Sequence, residues 1–354
     1  MRIEDKKIKS LVSLSLRGKG FTLIEIVVAI GLMVIVVLFA GSILKAGIGS
    51  YRTAMAQAEI MQKLRVITQQ LDSDFRGLRK DAPMFIWFEK GPNGAADPNR
   101  FDQIMFFADG DFQSTSNNPV IGNVARIYYG HSQKSLGLPN KDRILARRQH
   151  ISTADTDLNN WPNPSPANFA GSFITLSNDF YEYDRISLSQ WQAIANDPLN
   201  NPTNVNQIIT VCFGIGNRPA IDLADSNTLH LLMTERVGSF SVQWSYPYTD
   251  ISTGQTHLYW WPSIDPDGNG DFSDSDFDAM LTDQFGVYFN TANLPIISRW
   301  FSPNGGGLDG AKGTYYPAAK PAYPQALKFT FTIYDSRGVF KEGQTFTHIV
   351  YLGE

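Results

Sequence analysis

Phe21–Leu44 reads FTLIEIVVAIGLMVIVVLFAGSIL, and from Ile26 to Leu44 it runs 19 residues without a charge. At about 1.5 Å rise per residue such a run makes a helix of roughly 28 Å, close to the ~30 Å hydrocarbon thickness of a bilayer. It is too long for the apolar region of a secretory signal, and no A-x-A-like cleavage site follows it. Six basic residues (Arg2, Lys6, Lys7, Lys9, Arg17, Lys19) precede it against Glu4 and Asp5, whereas only Lys45 and Arg52 follow closely. That asymmetry predicts a single-pass helix with its N-terminus in the cytoplasm and its body outside. Glu25 stands at the edge of the apolar run, where a carboxylate in lipid costs on the order of 3 kcal/mol and calls for a partner.

Downstream, the apolar pattern becomes one-sided. Ile60, Leu64, Ile67, Leu71, Phe75 and Leu78 recur at gaps of three and four, one stripe of an amphipathic helix. No proline occurs before Pro83, so one helix is predicted from Phe21 to Arg79, apolar all round over residues 21–50 and amphipathic over 51–80. Beyond it the period changes to two. Strands are predicted at Met84–Glu89, Gln103–Ala108, Ala125–Tyr129, Arg143–Arg148, Leu229–Thr234, Phe240–Tyr246, Thr256–Trp260, Ala326–Tyr334 and Thr345–Tyr351. Residues 152–207, rich in Asn, Asp, Pro and Ser, read as an insertion lying on the sheet, with one short helix at Ser189–Asn196. The expected fold class is α+β, a long N-terminal helix packed on a β-rich head spanning residues 81–354.

Composition narrows the function. With 30 basic and 34 acidic residues the chain has a net charge of -4, which argues against a nucleic-acid partner. Cys212 is the single cysteine, so no internal disulfide or multi-cysteine metal site can form. The 29 glycines and 19 prolines suit strands and turns rather than a helical bundle. The five histidines (His131, His150, His230, His257, His348) form no H-E-x-x-H, and no G-x-S-x-G occurs, so no enzyme is expected. Gly305–Gly310 matches G-x-G-x-x-G but lacks the strand–turn–helix context, with Gly313 and Pro317 close behind.

Lys19-Gly20-Phe21-Thr22-Leu23-Ile24-Glu25 closely resembles the type III signal of type IV pilins and type II secretion pseudopilins. The resemblance implies that residues 1–20 are a cytoplasmic leader, that a prepilin peptidase cuts after Gly20, and that the new N-terminal Phe21 is methylated. It implies for Glu25 an intermolecular pairing with the terminal amine of a Phe21 during subunit docking. It also implies an inner-membrane protein with a periplasmic head, which then enters a pilus or pseudopilus beside other pilin subunits held through the N-terminal helix. Leu231–Val237, Phe240–Trp244 and Pro324–Thr330 loosely resemble the closing pattern of J-type minor pseudopilins and W-type minor pilins. A different reading stays open at this level: a membrane-anchored periplasmic module that binds calcium or glycan and uses a pilin-like N-terminus only for placement.

One segment of the head has metal-ligand spacing. Residues 265–276 (DPDGNGDFSDSD) fit a twelve-residue calcium loop with oxygen donors from Asp265, Asp267, Asn269 and Asp276, a turn glycine at Gly270, and the carbonyl of Asp271. The EF-hand has Glu where Asp276 stands, and no helix is predicted before the loop. Calcium is the one cofactor expected, against the alternative of an empty acidic turn.

Overall fold

The computed structural model describes residues 20–88, 100–115, 120–135, 138–152, 182–184, 187–189, 191–192, 218–249, 256–261, 288–291, 294–301, 308–309, 314–315 and 323–353. The chain divides into two compact units, Met1–Met55 and Ala56–Glu354. A 54-residue helix, α1 (Leu23–Arg76), contributes to both.

In the first unit α1 exposes apolar side chains on every side, including Ile30, Val34, Leu38, Phe39 and Leu44. A helix apolar all round has no polar face to turn toward water. This stretch is long and apolar enough to cross a membrane.

The second unit is an α+β head. Its strands are β1 (Met84–Phe88), β2 (Gln103–Gln113), β3 (Ile121–His131), β4 (Ile144–Ser152), β5 (Tyr183–Asp184), β6 (Leu232–Glu235) and β7 (Val237–Thr249). They continue with β8 (Thr256–Trp261), β9 (Tyr288–Thr291), β10 (Leu294–Phe301), β11 (Leu308–Asp309), β12 (Thr314–Tyr315), β13 (Ala326–Ile333) and β14 (Gln344–Tyr351). An eight-stranded sheet runs β5-β4-β3-β2-β1-β10-β9 with β6 also on β4, and a four-stranded sheet runs β14-β13-β7-β8. All their pairings are antiparallel except β4 with β5. A parallel bridge between Phe101 and Phe240 links the two sheets, and the chain passes from one to the other at Arg236, between β6 and β7.

The one-sided stripe of α1 fills the seam between these sheets. Ala56, Ile60, Ile67 and Leu71 are fully buried, and Phe75 nearly so. Phe75 stacks on Phe106 of the large sheet at 4.1 Å and meets Phe329 of the small sheet at 5.5 Å. Leu64 and Leu78, also on the predicted stripe, pack against this core while partly exposed. One polar residue enters the contact. Asp74 is buried and accepts hydrogen bonds from Arg147 Nε (2.7 Å) and Nη2 (2.8 Å), from Gln70 Nε2 (3.0 Å) and from the Tyr129 hydroxyl. Every lone pair that burial strips of water finds a donor, which is what permits a carboxylate here. Burial, together with the Asp74 charge, holds the Tyr129 phenol well above its ordinary pKa, so it stays a donor.

The ends of α1 depart from the predicted limits by two or three residues. At the C-terminal end the backbone of Asp109 closes on Gly77, donating its N–H to the Gly77 carbonyl at 2.7 Å. A Cβ on Gly77 would stand 2.0 Å from the Asp109 carbonyl oxygen, so only glycine fits. The chain then pairs briefly with β2 through Leu78 and Arg79 instead of continuing the helix. The strand predicted at Leu229–Thr234 is also shorter. Ser226–Leu231 forms a 3-10 turn capped by Asp225, whose Oδ1 accepts from Asn227 N, and the strand begins at Leu232. Strands β9 and β10 were not expected. Pro295 interrupts the alternation there, and β10 pairs with β1 over Met84–Phe88.

The outer face of the large sheet is covered as well. Trp191 is fully buried, edge-on to Phe85 and Phe107, with the Arg126 guanidinium 5.3 Å from its ring centre. Trp191 belongs to the stretch read as an insertion. Leu188, Ser189, Trp191 and Gln192 are helical there, and the rest of residues 193–217 lies outside the described residues.

Two imidazoles are buried without charge. His131 bonds through Nε2 to the Val237 carbonyl at 2.8 Å, and burial, aided by Arg143 and Arg218, pushes it down to about 3. Burial, then Arg126 and Arg148, holds His150 well below its ordinary value.

Two outcomes are expected in detergent-solubilised protein. Asp74→Ala leaves the buried Arg147 without its carboxylate and should cost about 3–5 kcal/mol in urea unfolding; a loss under 1 kcal/mol would show that the network does not hold helix to sheet. Both histidines bind protons more readily unfolded than folded. Their contribution is complete above the unfolded value near 6.5 and is lost as pH falls from there toward their depressed folded values, about 3 for His131. The melting temperature should therefore drop between pH 7 and pH 5, before most carboxylates titrate, and equal melting at both pH values refutes this.

Candidate processing and assembly site at the head of the helix

The described chain begins immediately before α1. Gly20 and Phe21 are non-helical and exposed, Phe21 to 81%. The helix starts because Thr22 and Glu25 satisfy one another's backbone. Thr22 N donates to Glu25 Oε2 at 2.9 Å, the Thr22 hydroxyl donates to the same oxygen at 2.9 Å, and Glu25 N donates back to Thr22 Oγ1 at 3.3 Å. The Thr22 carbonyl meanwhile accepts from Ile26 N at 3.2 Å, closing the first turn. This is a capping box, in which two of the four orphan N–H groups of a helix start are paired by side chains. The carboxylate also faces the positive end of the helix dipole.

Glu25 was expected to need a partner from another subunit. Within its own chain it has one in Thr22. Only Oε2 is engaged, however, and among the described residues Oε1 accepts no hydrogen bond. The site therefore combines an exposed, non-helical Gly20–Phe21 bond, a helix that begins two residues later, and a carboxylate oxygen that no described residue engages. Thr22 is the residue that sequence reasoning passed over. Its signal was present as T-x-x-E at Thr22–Glu25, the capping-box spacing, directly before an apolar run.

The other predicted site falls elsewhere. Asp265, Asp267, Asn269, Asp271 and Asp276 all lie outside the described residues, as do Cys212 and Gly305–Gly307. Among the described residues no group of three or more His, Cys, Asp or Glu side chains is placed to hold a metal ion. His131 and His150 sit apart, and His348 pairs instead with Asp72 on α1 at 2.8 Å.

The capping box has a local, measurable effect. Thr22→Ala should loosen the first turn by about 1 kcal/mol. Amide exchange at Glu25 and Ile26 in micelles should then rise roughly five-fold, and unchanged protection would show that the apolar run alone sets the helix start.

No protein-family model, no curated protein and no solved structure matches the chain.

Proposed function

We propose that this chain is a minor subunit of a type IV pilus or a type II secretion pseudopilus, anchored in the inner membrane and cut by a prepilin peptidase after Gly20. The observation that carries the reading is the order of parts at the N-terminus. A basic leader ends at Gly20, the exposed Gly20–Phe21 bond precedes a capped helix start at Thr22–Glu25, and an uncharged run long enough to span a bilayer follows. A cut before the apolar helix leaves the membrane anchor on the mature protein, whereas a secretory cut after it would release the head.

Cutting changes the chemistry at this end. The Phe21 amide nitrogen becomes a free amine, a cation four residues from Glu25. Bound to Thr22, the carboxylate of one subunit still offers Oε1 to the amine of the next, which turns a costly carboxylate in lipid into half of a pair. The pilin-like fold implied by the resemblance fits the α+β head with its long helix, and the head serves as a structural rather than catalytic part.

Intact-mass spectrometry of the membrane-purified protein tests the proposal. The expected product starts at Phe21 and carries one added methyl group, and Gly20→Ala should block the cut. Glu25→Ala should leave cutting intact while lowering recovery in sheared filament or pseudopilus fractions. A mature chain beginning at Met1, or one cut beyond Leu44, overturns the reading.

A further inference from the structure

We infer that the head binds a second copy of itself edge to edge, with β14 of one copy adding to β8 of the next, to make one sheet that continues across subunits. The inference rests on the proposed membrane anchoring only in taking copies held in one membrane to share one polarity, and it does not need them to be consecutive in a filament.

Strand β14 lies at one end of the four-stranded sheet and pairs with β13 on one side only. Leu352 N donates to the Gln325 carbonyl at 2.8 Å, which fixes that pair as hydrogen-bonded. Antiparallel pairs alternate, so along the Ala326↔Tyr351 register the residues bonded to β13 are Gln344, Phe346, His348 and Val350. Thr345, Thr347, Ile349 and Tyr351 then direct their N–H and C=O groups to the free edge. These same four residues are exposed, Tyr351 to 70% and Ile349 to 38%. An edge of this kind is ordinarily blunted by charge, proline or a covering element. Gln344–Tyr351 contains no Lys, Arg, Asp, Glu, Pro or Gly, and no described element pairs with its outer side. Its histidine is turned to α1, bonded to Asp72.

The complement is at the other end of the same sheet. Strand β8 (THLYWW) is likewise free of Lys, Arg, Asp, Glu, Pro and Gly, and among the described residues it pairs with β7 alone. The pairings β14–β13, β13–β7 and β7–β8 are all antiparallel, so β8 runs opposite to β14. A β14–β8 contact between copies is thus antiparallel as a strand pair while keeping the copies parallel to one another. It is heterologous and open, and it repeats. A β14–β14 contact would be isologous and would stop at two copies with their strands reversed. Strands rich in threonine, isoleucine and aromatics suit such cross-strand pairs, and no charge on either edge opposes their approach.

Full-length protein in mixed micelles tests this with Cys212→Ser as background. Thr347→Cys is combined in turn with Thr256→Cys, Leu258→Cys or Trp260→Cys under mild oxidation. The expected result is a ladder of disulfide-linked dimers, trimers and larger species in at least one combination. Thr347→Cys alone should give under a tenth of that product; equal dimer from the single variant would mean β14–β14 pairing and overturns the inference, as does the absence of any ladder. Thr347→Pro deletes an edge-facing N–H and the 3.5 Å hydroxyl contact with Thr330 but no backbone bond to β13, and Ile349→Lys adds a charge at an exposed site. With the linking cysteines moved off residue 347 in the register that gave the ladder (Thr345 with Leu258, Thr345 with Trp260, or Tyr351 with Thr256), each should reduce the ladder at least ten-fold while melting within a few degrees of the parent, and persistence of the ladder in both variants overturns the pairing. Cleavage after Gly20 is read separately by mass, so an uncut chain that ladders, or a cut chain that does not, separates this inference from the filament proposal.

Discussion

The head is organised by the seating of one helical stripe in the seam between two sheets. Phe75 touches Phe106 on one sheet and Phe329 on the other, so α1 packs against the inner faces of both. The hydrophobic term is non-directional and would tolerate a helix sliding along this groove. Asp74 removes that freedom. Its two oxygens take a fork of two Arg147 nitrogens and a tyrosine hydroxyl from the large sheet, and a shift of one helical turn would strand a buried carboxylate. Gly77 sets the end of the same helix, because the backbone of β2 occupies the space where any side chain would stand.

The same helix meets different demands along its length. In the first unit its apolar residues point in all directions, the pattern required of a segment solvated by lipid. From Ala56 onward only one face is apolar, and polar side chains carry specific contacts from the other positions. Glu59 accepts the Ser336 N–H at 3.0 Å, and Lys63 donates to the Tyr334 carbonyl at 3.0 Å, fixing the turn between β13 and β14. Asp335 closes that turn by accepting from the backbone N–H groups of Arg337, Val339 and Phe340. The edge strand β14 is held in place by the helix and the turn, and among the described residues no strand pairs with its outer side.

At the N-terminus, one carboxylate serves two purposes. Glu25 finishes a helix inside its own chain through Thr22, and on the proposed reading it then presents its second oxygen to another subunit. A capping role keeps the side chain in one rotamer at the tip of the helix, so that its free oxygen is preorganised for an incoming amine instead of being ordered on contact.

Much of this was legible in the residues themselves. Charge-free length, a basic leader and a period of 3.6 that turns one-sided after Tyr51 determine the helix, its apolar and amphipathic halves and the position of Gly20, Phe21 and Glu25, because each depends on interactions within a few residues along the chain. The alternation in Ala326–Tyr334 determines a strand for the same reason. Other features depend on residues far apart in sequence, and only the tertiary structure decided them. Asp74 reads locally as one more polar residue near the end of a helix; burial arises because Arg147 and Tyr129, more than fifty residues away, supply its donors. Proline at 295 hides β10 from any local rule, and β10 forms because β1 offers an open ladder. That β14 and β8 are the two ends of one sheet, with opposite directions and uncharged edges, follows from the order in which strands pair. Strand order is set by long-range packing against α1, which no local window of sequence contains.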